Sequence, residues 1–222
     1  MVFCIFACFA TLVFATQDNE EGTERGFEWN LSGAAVTFLG KNSYFGESRE
    51  IYGDNTDDWS EAAAELGFSG FLPLGQGSFF GALSGLYSKT WGDDASGNTV
   101  GLDDPGNFNI EQAHIGWRSG NTFPSLDKDA LTLKAGNFDY VVGTGLLLAD
   151  GTADGGKRGG WYLSWRTAFR ESFLARLESG AWKLDGFFSR AREDVELSGC
   201  MVMVVILNTN LPVPVFLQGC CI

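Results

Sequence analysis

The chain has 222 residues, of which 45% are hydrophobic and 14% aromatic, with 30 glycines and a formal net charge of −13. That charge excludes nucleic acid as a partner, because phosphates would be repelled rather than neutralised. The single histidine, His114, and five cysteines confined to the two ends leave no metal-binding Cys/His cluster and no disulfide-stapled body.

Residues 1–15 are apolar and uncharged, and a polar stretch follows. Val13 and Ala15 make a small-residue cleavage pattern, so this run reads as a signal-peptide core cut after Ala15. It is too short to span a membrane as a helix, and a basic segment ahead of it is missing.

Residues 16–198 are dominated by period-two alternation, the mark of strands with one wet and one apolar side. After a first strand over 27–39, the segment 61–72 sets Glu61, Ala63, Glu65, Gly67 and Ser69 against Ala62, Ala64, Leu66, Phe68, Gly70 and Leu72. A helix through 60–66 competes locally, since Ala and Glu favour one. Residues 76–91 alternate again, with Phe79, Leu83 and Tyr87 opposite Ser84 and Ser88. Next, 110–118 places Ala113, Ile115 and Trp117 against Gln112, His114 and Arg118, and 131–138 places Leu131 and Leu133 against Thr132 and Lys134. Phe173, Ala175 and Leu177 then oppose Arg176 and Glu178, and Trp182 and Leu184 oppose Lys183 and Asp185. The total is about seven strands, several near the length that a tilted membrane strand requires.

Connections at 54–58, 92–106 and 149–160 are long and rich in Gly, Asp and Asn, whereas those at 74–77, 119–125 and 179–180 are short. Short turns at one end and long polar loops at the other fit a transmembrane barrel. Trp59, Trp91, Trp117, Trp161, Trp165 and Trp182 fall near strand ends, where the lipid–water boundary favours Trp. The acidic loops 54–58 and 149–158 look superficially like calcium loops without the required spacing. Residues 199–222 carry no charge, and their apolar core at 201–207 is too short for a membrane helix. This tail reads as atypical, out of frame or chimeric, with a buried strand over 201–207 as the alternative.

The run Leu133-Lys134-Ala135-Gly136-Asn137-Phe138-Asp139-Tyr140-Val141-Val142-Gly143-Thr144-Gly145-Leu146-Leu147 resembles the alginate-export family of outer-membrane porins. The strands around Arg166-Thr167-Ala168-Phe169, Phe173-Leu174-Ala175-Arg176-Leu177 and Gly180 to Arg190 are similar to the strands that follow in that family. Asn137-Phe138 stands where the family carries Arg-Gln, and Glu171-Ser172-Phe173 where it carries Phe-Asp-Gly. The resemblance therefore speaks more to porin architecture than to alginate itself. It implies a single-chain barrel larger than seven strands can supply.

The expected fold is all-β, an antiparallel transmembrane β-barrel present as an incomplete or open portion of a larger barrel. The expected function is passive transport or export of solutes, anionic oligo- or polysaccharides such as alginate, through the outer membrane of a Gram-negative bacterium. The alternative is a secreted β-sandwich carbohydrate-binding or adhesive module. Arg118, Lys134, Arg176 and Lys183 share the wet face and are the candidate lumen residues, with Glu61, Glu65, Glu178 and Asp185 on the same face. Lumen ion pairing competes with solute binding at each of the four. No nucleophile, base or nucleotide motif points to an enzyme, and no cofactor is expected. The expected partners are membrane lipid and solute, and the sequence leaves the oligomeric state open.

Overall fold

The structure, a computed structural model, describes residues 4–16, 26–41, 56–92, 104, 106–141, 159–160, 163, 167–180, 182–193, 196–207 and 213–220; side chains are described within 26–39, 59–92, 104, 106–141, 159–160, 163, 167–180 and 182–189. The chain is all-β. Its strands are β1 (Cys4–Thr16), β2 (Gly26–Lys41), β3 (Thr56–Leu74), β4 (Gly77–Gly92), β5 (Gly106–Arg118), β6 (Leu131–Phe138), β7 (Phe169–Ser179), β8 (Trp182–Glu193), β9 (Glu196–Leu207) and β10 (Val213–Cys220). They form one antiparallel sheet in sequence order from β1 to β10. No described ladder joins β10 back to β1, so the sheet is open rather than closed into a barrel.

The seven strands read from alternation are β2 to β8, and β6 has the bounds that the alternation gave it. The helix-favouring 60–66 stretch lies inside β3, paired on both sides, so sheet pairing overrides local propensity. Cys4–Thr16, overlapping the run 1–15 read as an export signal, pairs along β2. Residues 201–207 fall in β9, the strand alternative for the tail, and β10 pairs back onto it. Pro214 sits in β10, at the edge of the sheet, where its missing donor costs least.

Register places each alternating set on a single face across the sheet. Phe68 opposes Leu83 and Leu83 opposes Ala113; one step along, Gly81 opposes Ile115 and Ile115 opposes Ala135. On this face the large apolar side chains are exposed: Leu83 by 53%, Ile115 by 62% and Trp182 by 63%. Leu66, Phe68 and Leu184 are exposed too, Leu133 and Ala175 are half-buried, and the described strands form no second sheet over them. The other face is buried and mixed, with Val36, Leu86, Leu174 and Phe187 beside polar side chains. It carries Glu61 at 1%, Asp185 at 2%, Glu111 at 2%, and Ser78, Ser84, Ser88 and Thr90. Large apolar side chains exposed on one face while carboxylates are buried on the other reverse the usual arrangement of a water-soluble sheet.

Three short connections gather at one end of the sheet. The β3–β4 turn is Gly75-Gln76, and the Gln76 carbonyl accepts the amide of Asn121 in the β5–β6 connection at 3.0 Å. Asp127 Oδ2 of that connection accepts the Ser179 hydroxyl and the Gly180 amide at the β7–β8 turn. Within the connection, the Gly120 amide donates to Asp129 Oδ1 at 3.1 Å. Gly120 must be glycine: its φ is +54°, and a Cβ would lie 1.7 Å from the Gln76 carbonyl.

Of the tryptophans read as boundary residues, Trp91 and Trp182 are exposed near strand ends and Trp117 is half-buried near the end of β5. Trp59 differs. It lies on the polar face, buried and stacked on Phe38 with ring centroids 4.5 Å apart. Trp161, Trp165 and the acidic loops 54–58 and 149–158 lie outside the described residues, apart from the backbone at 56–58.

Candidate functional site: the polar face of the sheet

One row of the polar face runs Ser78, Arg118, Thr132, Arg176 and Asp185 across β4 to β8. The next row runs Phe80, Gly116, Lys134, Leu174 and Phe187. Lys183 faces Glu178 one step toward the turns. Pairing thus brings all four sequence-derived cations onto one face, three of them in adjacent rows of the same sheet.

Their environments differ. Arg176 is held by Asp185 in a bidentate pair, Nε to Oδ1 at 2.7 Å and Nη2 to Oδ2 at 2.6 Å. Asp185 also accepts the Tyr140 hydroxyl at 3.0 Å, and burial together with that carboxylate pushes the Tyr140 phenol above its ordinary range. Lys183 lies 3.6 Å from Glu178, a partly exposed pair of little energetic weight. Arg118 lies over the Phe80 ring at 4.9 Å and Lys134 over Phe138 at 4.3 Å. Among the described residues neither Arg118 nor Lys134 makes an ion pair.

Beneath these cations is an aromatic cluster. Tyr140 stacks on Phe187 at 4.3 Å, and Phe138 and Phe169 meet Phe187 edge-on at 6.2 and 5.1 Å. Beside Phe138 the β6–β7 register shifts, because β7 carries one extra residue opposite Gly136 to Phe138. Gly136 has a φ of +123°, and a Cβ there would meet the Ala113 carbonyl at 2.1 Å, so the position requires glycine. The opposing strand bulges between Arg170 and Phe173, and the Glu171 amide donates to Asn137 Oδ1 at 3.1 Å. Asn137 and Glu171 are therefore in direct contact.

Described residues ahead of β7 bond to side chains of the polar face. The Gly160 amide donates to Thr90 Oγ1 of β4 at 2.8 Å and the Leu163 amide to Glu61 Oε2 of β3 at 3.1 Å. The Thr167 and Ala168 amides both donate to Glu111 Oε1 of β5 at 2.8 Å. Arg170 completes the arrangement with an ion pair to Glu111 at 3.1 Å and contacts to the Ile110 and Glu111 carbonyls. Asp139 accepts from Thr167 Oγ1 at 2.7 Å and from Gln112 Nε2 at 2.8 Å.

Sequence reading missed Glu111, Asp139, Tyr140 and Arg170. Glu111 is hidden by the irregular register between Leu83 and Gly85, which breaks simple alternation along β5. The other three act through contacts far apart in sequence. No protein-family model, curated protein or solved structure matches this chain. Among the described residues no three His, Cys, Asp or Glu side chains gather as a metal site.

Proposed function

We propose that the chain forms part of an outer-membrane, porin-like channel that passes solutes passively, with anionic oligo- or polysaccharides as the solute class. The observation that carries this reading is the inverted sheet, with Leu83, Ile115 and Trp182 exposed on one face while Glu61, Glu111 and Asp185 are buried on the other. Lipid is the solvent in which such a face is stable, because a contiguous exposed apolar surface in water is costly. An open edge is not tolerated in a bilayer, so on this reading further strands complete a larger barrel. The resemblance of residues 133–190 to the alginate-export family belongs to the same proposal, as does export through residues 1–15. The secreted sandwich module has no comparable support, since the described strands make one sheet.

Passive transport accords with a lumen wall of weak, repeated polar groups, because conduction needs binding loose enough to release the solute. Arg118 and Lys134 are the cations that supply anion preference, since Arg176 is held by Asp185 and the Lys183 charge is offset by Glu178 beside it. In planar bilayers, the full-length protein carrying Arg118→Glu and Lys134→Glu shifts its anion-to-cation permeability ratio by roughly three-fold or more toward cations. Lys183→Glu changes it much less. An unchanged ratio in the double variant means these two side chains do not line the conduction path. Failure of the protein to stay in the membrane fraction after carbonate washing would overturn the channel reading itself.

A further inference from the structure

We infer that Phe80 is a positioning residue for anion preference, because its ring fixes the Arg118 guanidinium on the polar face without neutralising it. This rests on the channel reading above, which gives Arg118 its role. Register brings the two together. Phe80 opposes Gly116 and Ser78 opposes Arg118, so the ring and the guanidinium belong to diagonal neighbours on one face of β4 and β5. Gly116 has no side chain, and a Cβ there would overlap the tip of the Phe80 ring, so the ring covers the β5 backbone at that point. Arg118 is exposed, and its guanidinium carbon lies 4.9 Å from the ring centroid.

What holds a cation decides what it can still do. Arg176 is bound by the Asp185 carboxylate through two of its nitrogens, which offsets its charge. A neutral ring attracts a cation through its quadrupole and leaves the net charge and the N–H donors for a solute. A long side chain already confined over a ring also loses less rotamer freedom when an anion arrives. Lys134 follows the same pattern, with its ammonium over Phe138 and no ion pair among the described residues. Covering a glycine is not by itself enough for this role. On the apolar face the Phe108 ring overlies Gly85 in the same way, and among the described residues no cation lies on it. That pair separates a structural function of a ring from an electrostatic one.

The test measures the anion-to-cation permeability ratio of the full-length protein in planar bilayers, beside the NMR shifts of the Arg118 side chain in lipid nanodiscs. Phe80→Leu still covers Gly116 but offers no ring face; the ratio falls about two-fold or more, and the upfield ring-current shift of the Arg118 δ and ε protons disappears. Phe80→Trp retains both. Gly116→Ala pushes the ring tip aside and gives the same fall, which decides the matter if Phe80→Leu does not fold. Phe108→Leu leaves the ratio at its wild-type value. In an Arg118→Gln background, Phe80→Leu produces no further fall. A wild-type ratio in both Phe80→Leu and Gly116→Ala, or an equal fall from Phe80→Leu with and without Arg118, would overturn the positioning role while the channel reading stands. A wild-type protein that shows the ring-current shift and forms no pore would overturn the channel reading, and with it the role but not the contact.

Discussion

Asp185→Ala is expected to destabilise the protein by about 3 kcal/mol, measured as the shift in urea unfolding of protein reconstituted in lipid. The size of the effect follows from what the carboxylate holds. Asp185 is 2% exposed, receives two charge-assisted bonds from Arg176 and a third from the Tyr140 hydroxyl. Its loss leaves a half-buried guanidinium and a buried phenol without their acceptor. Breaking a buried pair by deleting one partner costs more than deleting both, because the remaining charge stays desolvated. The Arg176 side chain is 30% exposed and recovers some water, which keeps the expected cost at the lower end of the range for buried pairs, about 3 kcal/mol. Asp185→Ala combined with Arg176→Met should therefore be less destabilising than Asp185→Ala alone. Equal or additive losses would mean that the two side chains are not coupled.

The second large effect lies on the opposite face. Leu83→Arg places a charge at the middle of β4, on an exposed apolar position. If that face meets lipid, the substitution costs about 2–4 kcal/mol, and the same change at Leu74, beside the β3–β4 turn, costs about 0–1 kcal/mol. On a water-exposed sheet both would fall within about 0.5 kcal/mol of wild type. The gradient between mid-strand and strand end is the informative quantity, because a folding defect unrelated to lipid has no reason to follow depth. Unfolding from lipid, with both variants beside wild type, measures it.

The central strands were legible because each carries its own two-residue period. The segments 27–39, 61–72 and 76–91 alternate strongly enough that register alone places Phe68, Leu83 and Ile115 on one face, and Arg118, Lys134 and Arg176 on the other. β9 was harder, since its Met-Val-Met-Val-Val-Ile run has no polar phase from which to read a face; its pairing to β8 comes from the neighbouring strand. Export-signal character and strand pairing likewise coexist in Cys4–Thr16, because an apolar run with Val and Phe suits both. The candidate cations could be read as sharing a face, but not which of them are committed. Arg176 meets Asp185 through pairing of β7 with β8, and Lys134 meets Phe138 four residues along the same side of β6. The attachments of Gly160, Leu163, Thr167 and Ala168 were illegible for a different reason: backbone amides leave no trace in residue type.

The account depends most on the claim that the apolar face of the sheet meets hydrocarbon. Because residues 9–199 contain no cysteine, replacing Cys4, Cys8, Cys200, Cys220 and Cys221 by serine leaves a background in which single cysteines along β4 can carry a nitroxide. In reconstituted full-length protein, spin labels at Phe79, Leu83 and Tyr87 should be relaxed strongly by oxygen, which concentrates in lipid, and weakly by a water-soluble nickel chelate. Labels at Ser78, Ser84 and Ser88 should show low oxygen accessibility, giving a two-residue period along the strand. Nickel reaching Leu83 and Tyr87 as readily as it reaches an exposed loop position would contradict the claim.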